Sequence, residues 1–127
     1  MKKIFLSYSH KDTEIADYLR NELIKRGIAD VWDDSKLKSS GVNWAEKVLE
    51  AIDQSSAVIM LISPDFFSSN MMFLELGYAS EGGKNIIPVI ISDVNVNLLP
   101  NALKSRKMLK TKSLKDKTID KLEEALA

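Results

Sequence analysis

Glu75 is the one charged residue in Met71-Met72-Phe73-Leu74-Glu75-Leu76-Gly77-Tyr78-Ala79. Carboxylates are seldom set in such apolar company unless they are paired or reactive. A helix over residues 70–81, closed by Gly82-Gly83, puts Met71, Glu75 and Ala79 on one face, flanked by Met72 and Tyr78. Phe73, Leu74 and Leu76 occupy the other faces, so the helix is expected to be largely buried. Two readings of Glu75 stand side by side at this point. It pairs with a lysine or arginine at the helix edge, or it points into a partly dry cleft as a working carboxylate.

Other chemistries drop out on residue type. The chain has no cysteine, hence no disulfide, thiolate metal site or cysteine nucleophile. His10 is its single histidine, so a histidine-rich metal site is impossible within one chain and no metal is expected. A Ser-His-Asp triad would have to use His10, and nothing else points to one. After the first strand comes Ser7-Tyr8-Ser9-His10-Lys11-Asp12, without the glycines that grip a dinucleotide, and no P-loop occurs anywhere. Asp33-Asp34 invites comparison with a phospho-receiver domain. There, however, the acidic pair follows the first strand and an aspartate ends the third. Here the pair follows the second strand, and the third ends Ile62-Ser63-Pro64-Asp65. A solvated turn suits Asp34 better.

The elements that must hold these residues alternate. Lys3 to Tyr8 reads as a strand, and Ser9 with Asp12 as a capping box. The helix that follows carries Ile15, Ala16, Leu19 and Leu23 on one face and ends at Gly27. Ala29 to Trp32 is a second strand, then Asp33 to Asn43 a polar loop. Asn43 and Glu46 repeat the capping pattern before a helix with Trp44, Val48 and Ile52 in one stripe. Ser56 to Ser63 is apolar without alternation, the mark of a strand covered on both faces. Asn85 to Ile91 is a similar strand, but Pro88 removes a ladder donor and by itself would demote it to a position near an edge. Asp93 to Lys104 reads as irregular, Arg106 to Leu109 as a last short strand, and Ile119, Leu122 and Leu126 as the buried stripe of a C-terminal helix. Strand and helix in alternation imply an open parallel sheet with helices on both faces. Ligands of such folds bind beyond the carboxyl ends of the strands, here Tyr8 to Asp12, Asp33 to Asn43 and Ser63 to Asn70.

A length of 127 residues fits one domain over 1–127. Eighteen basic residues balance eighteen acidic ones, which argues against a chain built to grip nucleic acid or an anionic membrane. The run Ile4 to Leu6 is too short for the core of a signal peptide, and no run approaches a membrane span. With cysteine absent, a cytoplasmic setting is expected.

As a set, these stretches resemble a TIR (Toll/interleukin-1 receptor) domain of the bacterial type. Ile4 to Asp12 resembles the family's first box. Val31 to Leu37, with Gly41 and Trp44 beyond, resembles its second strand and the long BB loop. Leu61 to Ser69 followed by Glu75-Leu76 resembles the segment bearing its glutamate, Lys84 to Val89 its fourth strand, and Asn97 to Pro100 the loop after it. The resemblance runs through nearly the whole chain. It implies a flavodoxin-like three-layer sandwich with a five-stranded parallel sheet.

Two activities divide that family. Many animal members are assembly modules. Many bacterial, plant and axonal members cleave NAD+ at the nicotinamide–ribose bond, some cyclising the ADP-ribose product. The resemblance implies the second activity here, because Glu75 stands where the enzymes carry their glutamate. It further implies NAD+ as substrate with no cofactor, self-association with other TIR domains, and a role in bacterial immunity, antiviral defence or effector signalling. Cleaving the N-glycosidic bond builds oxocarbenium character on the ribose, and the cationic nicotinamide needs no general acid to leave. One carboxylate is then enough to bind ribose hydroxyls and stabilise the developing charge. By position, Tyr8 and Ser9 match the pocket loop and Asp33 an acidic site at the second strand's end. Lys36 matches a basic BB-loop site able to meet a phosphate, and Trp44 an apolar position closing that loop. Lys38 and His10 are weaker candidates for the same polar rim. Family enzymes commonly carry tryptophan four residues before the glutamate, where this chain has Met71. Methionine fills the space but cannot stack as a planar ring does. Two rival readings remain. One is an interaction module contacting partners through Asp33 to Asn43 and the adjacent helix, with Glu75 structural. The other is a nucleoside-deoxyribosyltransferase-like enzyme or ADP-ribose sensor, which shares the sheet and a ribose-facing carboxylate.

Overall fold

A computed structural model describes residues 2–33, 43–111 and 116–127. Five strands, β1 (Lys2–Ser7), β2 (Ala29–Trp32), β3 (Ala57–Ile62), β4 (Asn85–Ile90) and β5 (Leu109–Lys110), form one sheet in the order β2-β1-β3-β4-β5. Every pairing is parallel. Helices α1 (Thr13–Lys25) and α5 (Asp116–Leu126) cover one face. The other face is covered by α2 (Trp44–Gln54), α3 (Asn70–Glu81) and the short α4 (Asn101–Lys104). This is the open parallel sheet that the alternation predicts, in the flavodoxin-like α/β architecture that the resemblance implies.

Strand alternation sorts the core. Ile4 and Leu6 of β1 pack with Leu19, Leu23, Ile119 and Leu122, whereas Phe5 packs on the opposite face with Val48, Ile52, Met72 and Leu76. All six residues of β3 are buried, as its unbroken apolar run requires. The chain leaves β1 for β2 on one side and reaches β3 on the other, so the switch point lies beyond Ser7 and Met60, which are paired in register.

Pro88 is explained by the ladder. Ile91 N donates to Ile62 O, while Ile90 O accepts from Thr111 N. Backbone groups alternate sides along a strand, so residues 85, 87 and 89 turn toward β3, and 86, 88 and 90 toward β5. The nitrogen of Pro88 thus points to the β5 side, where pairing starts only at Val89. The proline costs the β3–β4 ladder nothing, and its strand lies next to the edge.

Four expectations are corrected. Asn43 makes no side-chain cap; it takes a left-handed φ of 82°, a conformation asparagine tolerates, before α2 begins at Trp44. Ser9 caps a 3-10 turn, His10–Asp12, before α1 begins at Thr13. Within 93–104 the chain forms a 3-10 turn, Val96–Leu98, and α4, whose Leu103 is fully buried. The last strand is Leu109–Lys110, beginning later in the chain than the expected Arg106–Leu109. A fifth difference concerns α3. Its bounds are as predicted, but Phe73, Leu74 and Tyr78 are exposed, so this apolar helix buries one face, Met72, Glu75, Leu76 and Ala79.

Candidate active site

Ser69 begins α3 properly: its hydroxyl accepts from Met72 N at 3.3 Å. The helix then turns Met72, Glu75, Leu76 and Ala79 inward. Glu75 is 2% exposed, and its Oε1 accepts a hydrogen bond of 2.7 Å from the hydroxyl of Ser7, the last residue of β1. Alternation sets this contact. Phe5 and Ser7 point to the α2/α3 face, and Ser7 is the small polar residue where the strand meets the switch point. Met71, one turn before Glu75, is half-buried and packs against the same core cluster, as does Trp44 at the start of α2.

The neighbouring strand tips carry a second network on the opposite face. Tyr8, 7% exposed, belongs to the α1/α5 cluster. Its hydroxyl donates to Asp33 Oδ2 at 3.3 Å and accepts from Arg20 Nη2 at 3.4 Å. Arg20 also pairs directly with Asp33, which is wholly buried, and reaches Asp17 Oδ1 at 2.6 Å. A buried carboxylate needs such a cation, because desolvation would otherwise be prohibitive. A third link joins the tip of β3 to the loop after β1: Ser63 Oγ donates to Asp12 Oδ2 at 2.6 Å.

The residues picked from the sequence therefore fall into separate places. Glu75, Met71 and Trp44 share the α2/α3 side. Tyr8 and Asp33 are joined to each other on the α1 side. Ser9 is half-buried between them in chain order, capping the 3-10 turn, and His10 is exposed. Lys36 and Lys38 lie outside the described residues. Sequence reasoning missed Ser7, Arg20 and Ser63. For Arg20 the signal was available: it lies four residues after buried Ala16 and next to buried Leu19, a cation at the rim of an apolar helix face. Among the described residues, no group of three or more histidine, cysteine, aspartate or glutamate side chains could hold a metal ion. No helix among them is long and apolar enough to cross a membrane. Two hollows, of about 770 and about 230 Å³, are lined by other residues and do not reach Glu75.

The sequence matches the TIR domain family over residues 4–126. The chain belongs to that family. Among curated proteins it is similar to the uncharacterized protein y4lF of Sinorhizobium fredii, at 29% identity over 99 residues. It is also similar to human Toll-like receptor 6, at 27% identity over 117 residues. These alignments take in 72% and 84% of this TIR chain but only 30% and 14% of the two relatives, so the chain spans less than a third of either. Among solved structures, the TIR domain of the Toll-related receptor TRR-2 from Hydra magnipapillata superimposes with a TM-score of 0.76 at 23% identity, covering 96% of this chain and 91% of that one. The CMP N-glycosidase BcmB of Clostridium botulinum superimposes with a TM-score of 0.65 at 20% identity, covering 96% and 99%. At such identities the likeness is one of fold.

Proposed function

We propose that this TIR domain hydrolyses NAD+ at the nicotinamide–ribose bond, with Glu75 as the catalytic carboxylate. The observation that carries the reading is the placement of Glu75: a buried carboxylate beside Ser7, at the switch point between β1 and β3. Ligands of doubly wound sheets bind there. In the reaction, the bond from C1′ to the nicotinamide nitrogen breaks and its electron pair leaves with the base, neutralising the pyridinium. Water adds to C1′ and releases a proton, giving ADP-ribose. In the cyclising variant, the adenine of the same molecule takes the place of water. Glu75 would hold ribose hydroxyls and stabilise the oxocarbenium charge as it develops.

The carboxylate is closed off in a single chain, so the proposal includes self-association. A neighbouring copy would rearrange the strand tips and open the pocket, and head-to-tail contact would extend into an open-ended assembly. NAD+ supply and a cysteine-free chain fit a cytoplasmic setting in bacterial defence or effector signalling.

A non-catalytic signalling module is the second reading. It is favoured by the exposed Phe67, Phe73, Leu74 and Tyr78 around α3, since contiguous surface apolar groups mark contact sites. Incubating concentrated or artificially clustered protein with NAD+, and with CMP in parallel, separates the two once products are identified by mass. Release of nicotinamide by the wild type and not by Glu75→Gln is the expected result. Absence of turnover under clustering, with partner binding intact in Glu75→Gln, would leave the signalling module standing.

A further inference from the structure

The larger hollow lies at the far end of the sheet from Glu75. Its volume, about 770 Å³, is in the range that small-ligand pockets occupy. It owes its existence to the shortness of β5. That strand pairs with β4 only at Val89 and Ile90, so the amino half of β4 runs past it with an open edge. Ile86 and Ile87 belong to cores on opposite faces of the sheet, yet both line this hollow, which is therefore centred on the strand edge itself. The ladder alternation turns the Ile86 N–H toward it.

Charge is concentrated there. Arg106, Lys107, Lys110 and Lys121 face a single carboxylate, Glu124, in a chain whose net charge is zero. Among the described residues, no ion pair or hydrogen bond engages the side chains of Lys107, Lys110 or Lys121. Arg106 is half-buried and fixed, its Nε donating to Ala102 O at 2.9 Å. Ile86, Ile87, Met108, Leu109 and Ala125 supply an apolar wall beside these cations.

We propose that this groove binds a nucleotide carrying two or more phosphates. Lysines as mobile point charges and an anchored guanidinium fork suit phosphate oxygens. The apolar wall suits the planar base, and it would be wasted on a mineral anion. A nucleic-acid strand would call for a longer basic track than these four side chains provide. The site uses neither Glu75 nor Ser7 and stands whether or not the chain cleaves NAD+.

Calorimetric titration of the whole chain with ADP, adenosine, pyrophosphate and a short DNA oligonucleotide at one salt concentration tests the assignment. ADP is expected to bind saturably, with adenosine and pyrophosphate each at least tenfold weaker. The double variant Lys107→Glu/Lys121→Glu should lose at least tenfold in ADP affinity, and Glu75→Gln should keep it. Methyl NMR shifts on ADP addition should centre on Ile86, Ile87 and Met108, a readout that does not depend on any variant folding. Pyrophosphate binding as tightly as ADP, an oligonucleotide binding more tightly, or shifts centred elsewhere would each overturn the proposal.

Discussion

The Ser7 hydroxyl donates to Glu75 Oε1 across 68 residues of sequence, tying the last residue of β1 to the second turn of α3. The bond holds a buried acid at the point where the strand order reverses. Removing a hydrogen-bond donor from a buried partner costs about 1–3 kcal/mol, whereas exchanging one acceptor for another costs little. Ser7→Ala should therefore lower the unfolding free energy measured in urea by an amount in that range, with a correspondingly lower midpoint. Glu75→Gln, which keeps an oxygen for Ser7 to donate to, should stay within about 1 kcal/mol of wild type while losing nicotinamide release. A Ser7→Ala midpoint equal to wild type would mean that the hydroxyl does not hold the acid.

Arg20 and Asp33 make the opposite kind of pair, a cation and an anion with little solvent between them. Asp33 is wholly buried and the Arg20 side chain 14% exposed. Taking away the cation strands the carboxylate, a loss on the order of 3 kcal/mol. Arg20→Met should thus drop the melting temperature by roughly 10 °C in a domain of this size. Removing both charges in Arg20→Met/Asp33→Leu should restore part of the loss, because two apolar groups replace the stranded carboxylate while the Tyr8 hydroxyl loses its acceptor. Differential scanning calorimetry of the two variants decides it: equal loss in single and double mutants would show that Asp33 is needed for other contacts.

Two glycines near the same helix should respond in opposite directions to alanine. Gly77 lies inside α3, and a Cβ added there meets nothing within 4 Å. Gly77→Ala should stabilise by about 0.5–1 kcal/mol through helix propensity. Gly83 holds a φ of +67°, which closes the helix, and there Gly83→Ala should cost about 1–2 kcal/mol. Thermal midpoints moving the same way in both variants would contradict the assigned backbone states.

These residues also show how far the sequence could be read. The bounds of α3 and β2 follow from local signals: a charge-poor run closed by two glycines, and a four-residue strand between Gly27 and the Asp33 loop. The Glu75 position was legible because a lone carboxylate in an apolar run is conspicuous. Its partner was not, since Ser7 becomes visible only when β1 and α3 are packed, and a serine at a strand end carries no signal of its own. Asn43 was misread because capping residues and left-handed residues share the same short polar side chains. The exposed face of α3 was invisible because its outward residues, Phe73, Leu74 and Tyr78, are as apolar as its inward ones.

Met71 gives the last prediction. It sits one helical turn before Glu75, half-buried at the edge of the same cluster. If NAD+ enters beside Glu75, residue 71 is placed to touch the nicotinamide or adenine ring. Thioether contact is adaptable but lacks a planar face; a tryptophan there would add about 0.5–1.5 kcal/mol of ring stacking. That corresponds to a KM for NAD+ lower by about 2- to 12-fold in Met71→Trp, with kcat little changed, because stacking acts equally on the ground state and the transition state. Steady-state kinetics on clustered protein separates the two constants. A fall in kcat at constant KM would place the ring against the reacting ribose, and an unchanged pair of constants would place residue 71 outside the substrate's reach.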